Sequence, residues 1–181
     1  MDTWVWIVVA VVVIAAIAIV AAAATRKRRT EQLREGFGPE YDRVVEDTGD
    51  RRAAERELSE RRKRHEELEI VSLSDGVRAR YAEEWKQVQA RFVDEPQAAV
   101  READELVQRV MSDRGYPVAD DFERRAADVS VDYPDVVENF RDGHRLAGES
   151  DTESLRQAMV HFRSLFAQLL EGGRDREEVR S

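Results

Sequence analysis

Residues 4–29 read WVWIVVAVVVIAAIAIVAAAATRKRR, and this stretch divides the chain. Trp4 to Ala24 is a run of 21 uncharged residues, all of them apolar. As a helix rising about 1.5 Å per residue the run spans about 31 Å, close to the roughly 30 Å hydrocarbon core of a bilayer. Trp4 and Trp6 stand at one end, where indole rings favour the headgroup level. Four cations, Arg26, Lys27, Arg28 and Arg29, stand at the other, and only Asp2 is charged before the run. Cations flanking a first helix are held on the cytoplasmic side. The stretch therefore predicts a single-pass anchor with its N-terminus outside and the remaining chain in the cytosol. The competing reading is an exported protein with the run as a signal, since Ala21 to Ala24 resemble a cleavage site. The absence of a cation before the run, its length and the four cations after it count against that.

Whole-chain figures hide this division. The 181 residues are 42% hydrophobic and 37% charged, with net charge −9. Removing Asp2 and the four cations at 26–29 from 38 acidic and 29 basic residues leaves 37 and 25. Residues 30–181 thus carry −12, a charge that repels phosphate backbones and disfavours nucleic acid as a partner. There is no cysteine, which excludes a disulfide scaffold, a thiolate metal site and a cysteine nucleophile.

Beyond the anchor the punctuation is helical. Gly36-Phe37-Gly38-Pro39 breaks the helix leaving the membrane; Pro39 suits a first helical position, and Tyr41, Val44, Val45 and Thr48 share a face. Gly49 ends that segment and Asp50 can cap the next. Residues 51–69 are charged nearly all round, which predicts a solvated, stalk-like arm, with coiled-coil pairing as the lesser possibility. The run Arg61-Arg62-Lys63-Arg64, interleaved with glutamates, reads as a solvated face. Residues 70–73 read as an extended connector. Ser74 caps a helix carrying Val77, Tyr81, Trp85, Val88 and Phe92 on one face. Asp94 and Pro96 open the next helix, which Gly115 ends. Asp120 with Glu123, and Ser150 with Glu153, make capping boxes, and Asp132 with Pro134 opens the helix between them. Leu155, Met159, Phe162, Leu165, Phe166 and Leu169 give the strongest periodicity in the chain, and Gly172-Gly173 closes it.

The expected fold is all-α: an anchor with its basic flank over 1–29, a charged helical arm over 30–73, a bundle of about five helices over 74–171, and a charged tail over 172–181.

Few residues point to chemistry. No lysine follows a glycine-rich turn, Gly36-Phe37-Gly38 runs into Pro39, and there is no nucleophile elbow. The residues three before His65, His144 and His161 are Arg62, Arg141 and Ala158, so no Glu-x-x-His pair exists. No catalytic residue, metal site or cofactor is expected. Tyr81, Trp85, His144 and His161 are the candidates for a ligand pocket. Core packing is the default for the aromatic pair and boundary positions the default for the histidines.

These segments resemble a family of single-pass membrane proteins common in actinobacteria, with an all-helical C-terminal domain. The resembling stretches are Phe37 to Arg43, Trp85 to Asp94, Arg114 to Val118, Asp121 to Val137 and Leu155 to Phe162. Arginine outnumbers lysine 26 to 3, which suits a GC-rich genome. The resemblance implies an organism class and transfers no activity or site residue; the lipid bilayer is expected as a partner from the apolar run and its basic flank. The functional expectation is a membrane-anchored module with a protein partner, in an interaction or scaffold role. The alternatives are a small-ligand sensor or cryptic enzyme using the bundle interior, and the exported protein above.

Overall fold

The computed structural model describes residues 3–118 and 121–172; within them the side chains of Thr3, Val5, 7–11 and Ala15 are not described. Seven helices and no strand occur among the described residues: α1 (Thr3–Thr48), α2 (Arg51–Glu66), α3 (Asp75–Arg91), α4 (Pro96–Asp113), α5 (Phe122–Val129), α6 (Val137–Ala147) and α7 (Thr152–Glu171). The protein is all-α. Among the described residues no helix is long and apolar enough to cross a membrane; seven side chains of the 21-residue apolar run lie outside that set.

α1 is two helices joined at a reversal. Gly38 sits at φ 45°, ψ −125°, outside helical space and in a region that L side chains rarely adopt. Pro39 then starts the second segment, where its missing N–H costs nothing. Arg34 reaches across the break to Asp42 (3.1 Å). The helix over 39–48 runs back alongside the one over 3–37. Gly49 (φ 63°) ends it, and the Asp50 carboxylate caps α2 by accepting from the Arg52 N–H at 3.0 Å.

α2 then runs in the same direction as 3–37: Arg29 meets Ser59, Thr30 meets Glu55, and Arg62 reaches the Gln32 carbonyl. The three segments close a small core of Leu33, Phe37, Tyr41, Val44, Ala54 and Leu58. This corrects the expectation of a solvated stalk. Ala54 and Leu58 are fully buried, and within the 61–64 run only Lys63 is exposed.

The larger core belongs to α3–α7, the five-helix bundle. Tyr81, Trp85 and Val88 of α3, Leu106, Val107 and Val110 of α4, Phe140 of α6 and Phe162, Leu165 and Phe166 of α7 meet in it. Trp85 stacks on Phe166 with centroids 4.6 Å apart.

Residues 69–74 link the two units without helix. The connector is clamped at Val71, whose N–H donates to the Arg114 carbonyl (2.9 Å) and whose carbonyl accepts from Arg114 Nε (3.3 Å). Arg114 is 1% exposed. Its other bonds go to the Tyr133 hydroxyl and to the carbonyls of Leu169 and Gly172 at the end of α7, where orphan helix carbonyls favour a cation. Gly115 follows at φ 94°.

Several helix starts shift by a residue or more. Ser74 caps α3 as expected, accepting from the Val77 N–H. The α4 cap position falls on Glu95 rather than Asp94, without a side-chain bond. Asp121 caps α5, bonding the Glu123 N–H at 3.0 Å, whereas Asp120 lies outside the described residues. Asp151, not Ser150, caps α7, bonding the Ser154 N–H at 2.9 Å. Asp132 opens no helix: its carboxylate is taken by His65 and Tyr116, and α6 begins only at Val137. Of the expected tail over 172–181, residues 173–181 lie outside the described set.

Candidate functional site

The reversal at Gly38 returns the chain to where the basic flank begins. From Arg26 down to Phe37 is about 16 Å of helix, and 39–48 climbs about 15 Å. The turn at 49–50 therefore brings the start of α2 level with Arg26. There Arg26, Arg29, Arg51, Arg52 and Arg56, with Thr30 and Glu55, line a cleft of about 400 Å³. A second recess of about 410 Å³ continues it between the two parallel helices, lined by Arg29, Leu33, Ser59, Arg62 and Lys63 among others.

Glu55 is the one carboxylate in the first cleft, and it is engaged internally. It accepts from Thr30 (2.7 Å), the Tyr41 hydroxyl (3.0 Å) and Arg51 (3.2 Å). Burial pushes its carboxyl up, but those three bonds outweigh burial and hold it below the ordinary value. Glu55 thus stays anionic and ties three segments together. Arg29 donates to Ser59 at 2.9 Å. Among the described residues no carboxylate pairs with Arg26, Arg52 or Arg56. The cleft is strongly positive, in a domain that is otherwise acidic.

A second polar arrangement seams the α1–α2 unit to the bundle. Glu40, 2% exposed, lies just past the reversal. Arg141 of α6 grips both its oxygens (2.8 and 2.9 Å), Arg61 of α2 donates at 2.7 Å, and Arg43 at 3.0 Å. Burial alone would raise this carboxyl. The bonds from Arg141 and Arg43, the Arg141 charge and the Arg61 bond overcome it, and the pKa falls to about 2. One turn along α2, His65 Nε2 lies 2.6 Å from Asp132, which also accepts from the Tyr116 hydroxyl. Burial first, and then Asp132, push the Tyr116 phenol up, so it stays protonated. Burial likewise raises the Asp128 carboxyl, against the pull of Arg64, Arg124, His65 and Arg61.

The four residues expected to line a pocket have separate partners. Tyr81 is buried and donates to Asp113 at 2.6 Å; burial first, and Asp113 second, push its phenol up to about 12. Trp85 fills the core against Phe166. His144 is exposed and lies flat on Phe122, with centroids 3.8 Å apart. His161 meets the Asn139 side chain at 3.1 Å. Among the described residues no group of three or more His, Asp or Glu is placed to hold a metal. Of the residues expected to flank a membrane, Trp4 and Trp6 are exposed, as are Arg26 to Arg29; Lys27 pairs loosely with Glu31.

No protein-family model, no curated protein and no solved structure matches this chain. Arg51, Arg52 and Arg56 join the basic flank without having been singled out in the sequence. They lie some 25 residues from it, and only the double reversal at Gly38 and Gly49 brings them there. The signal was available: two consecutive helix breaks flank a ten-residue segment whose length matches the distance from Arg26 to Phe37.

Proposed function

We propose that this chain is a membrane-anchored cytosolic module that holds a protein partner at the membrane surface, in an interaction or scaffold role. The observation that carries the reading is the continuity of the first helix. The apolar run of 4–24 and the basic flank of 26–29 extend without a break to residue 37, where Leu33 and Phe37, 2% and 1% exposed, enter the small core. Anchor and module then share one rigid rod rather than a flexible tether, and the Glu40 cluster carries that rod's orientation into the bundle. The single-pass span with its N-terminus outside rests on the sequence of 4–29 and on the cation rule. Crosslinking in native membranes tests the role. A reproducible partner set that disappears when 74–171 is deleted supports it; recovery of lipid and abundant bystanders alone contradicts it.

A further inference from the structure

We infer that the cleft between the basic flank and the start of α2 is a clamp for anionic phospholipid headgroups. The inference rests on the membrane-anchor reading above and extends it from four cations to a folded site. Three observations carry it. The cleft is lined by five arginines from two segments that are distant in sequence and parallel in space, and its volume of about 400 Å³ suits a headgroup. Its single carboxylate is consumed by Thr30, Tyr41 and Arg51, leaving the guanidinium groups of Arg26, Arg52 and Arg56 without an acidic partner among the described residues. Its height is fixed: Arg26 follows the last apolar residue by two positions, and the climb of 39–48 returns Arg51 and Arg52 to that level.

Each element has a physical role. Guanidinium groups match the paired oxygens of a phosphate diester better than ammonium groups do. The α2 dipole adds a positive field at the same end, partly offset by the Asp50 carboxylate that caps it. A surface −12 in charge over 30–181 would otherwise be repelled by an anionic leaflet. Concentrating cations at the one face that meets the headgroups reverses the sign of that interaction locally. Juxtamembrane cations alone would mark topology. A second cation set, folded back to the same height, presses the module against the leaflet and sets its tilt.

The test uses the full chain reconstituted in phosphatidylcholine vesicles with and without phosphatidylglycerol. A trace of photoactivatable phosphatidylglycerol or phosphatidylcholine is included, and adducts are read on peptides covering 49–56. The expected result is a strong preference for the phosphatidylglycerol probe on those peptides. That preference should fall about tenfold or more in R52Q/R56Q, two cations each contributing roughly fivefold near an anionic surface. It should be partly retained in R52K/R56K, which keeps the charge and loses the paired donors, and vesicle flotation should be equal for all three chains. Equal labelling by both probes in the unaltered chain, or a preference that survives R52Q/R56Q, overturns the clamp. Loss of the preference on adding millimolar inorganic phosphate also overturns it, because the cleft would then take a small free anion. Failure of the unaltered chain to float with either vesicle overturns the anchor and the clamp together. Flotation without lipid preference overturns the clamp alone.

Discussion

Arg141 holds Glu40 through two guanidinium nitrogens, at 2.8 and 2.9 Å, across 101 residues of chain. Two apolar cores that share no residue are thereby joined by a buried ion cluster. Removing one partner of such a cluster leaves uncompensated charge and costs about 3–5 kcal/mol. E40Q strands Arg61 and Arg141 together. We expect E40Q and R141Q each to lower the unfolding midpoint of the full chain in detergent, and the double variant to lose less than the sum. Additive losses in denaturant titrations would contradict the coupling.

The same cluster sets a pH dependence. The folded-state pKa of Glu40, about 2, lies below the ordinary 4.5. A lowered carboxylate stabilises fully above its unfolded value and loses that contribution as the pH falls toward its folded one. Stability should therefore decline between about pH 4.5 and 2 by an amount on the order of 3 kcal/mol from this group. E40Q should flatten that part of the stability–pH curve; an unchanged slope would contradict the assignment.

Gly115 has no substitute. At φ 94° a Cβ would be strained, and it would lie 2.3 Å from the Glu69 carbonyl oxygen in the clamped connector. Gly49 also has positive φ, but a Cβ there meets nothing within 4 Å. G49A should cost about 1–2 kcal/mol, the price of left-handed backbone alone. G115A should cost clearly more, because the connector must also move. Paired thermal melts give the comparison, and equal losses would refute it.

α2 is a packed element. Leu58 is fully buried between the segments of α1, so L58A should destabilise by about 2–5 kcal/mol. Amide exchange along α2 should be slow, and faster in L58A. A solvated stalk would tolerate the substitution and exchange rapidly.

How far the sequence disclosed this depends on what a periodicity count weighs. The breaks at Gly38, Gly49 and Gly115 were legible because each rests on a local backbone rule. The five bundle helices were legible because their faces are apolar. The packing of α2, unlike its helicity, was not, because its buried residues are only Ala54, Leu58 and Arg61. That is a helical spacing of four and three with one polar member, and Arg61 is buried against Glu40. Asp132 was misread for a related reason: as a local residue it resembles a cap, and only the fold brings His65 to it from 67 residues away. Tyr81 and Trp85 lie in the core, as their helical spacing implies, and the basic cleft shows in the sequence only as the spacing of the two helix breaks.

Trp85 gives a further check on the core assignment. W85A should cost about 3–5 kcal/mol and W85F much less, since the stack on Phe166 survives as a ring pair. His144 is exposed, and H144A should change stability by about 1 kcal/mol or less. Near-ultraviolet circular dichroism should lose intensity in W85A and not in H144A.

In the proposed function, residues 4–24 hold the folded module at the cytosolic face. The chain has no native cysteine, so a single S181C can be probed with a membrane-impermeant maleimide. Labelling should fail on intact cells and succeed on carbonate-washed inside-out vesicles that retain the protein. Labelling on intact cells, or loss of the protein to the carbonate wash, would contradict the account.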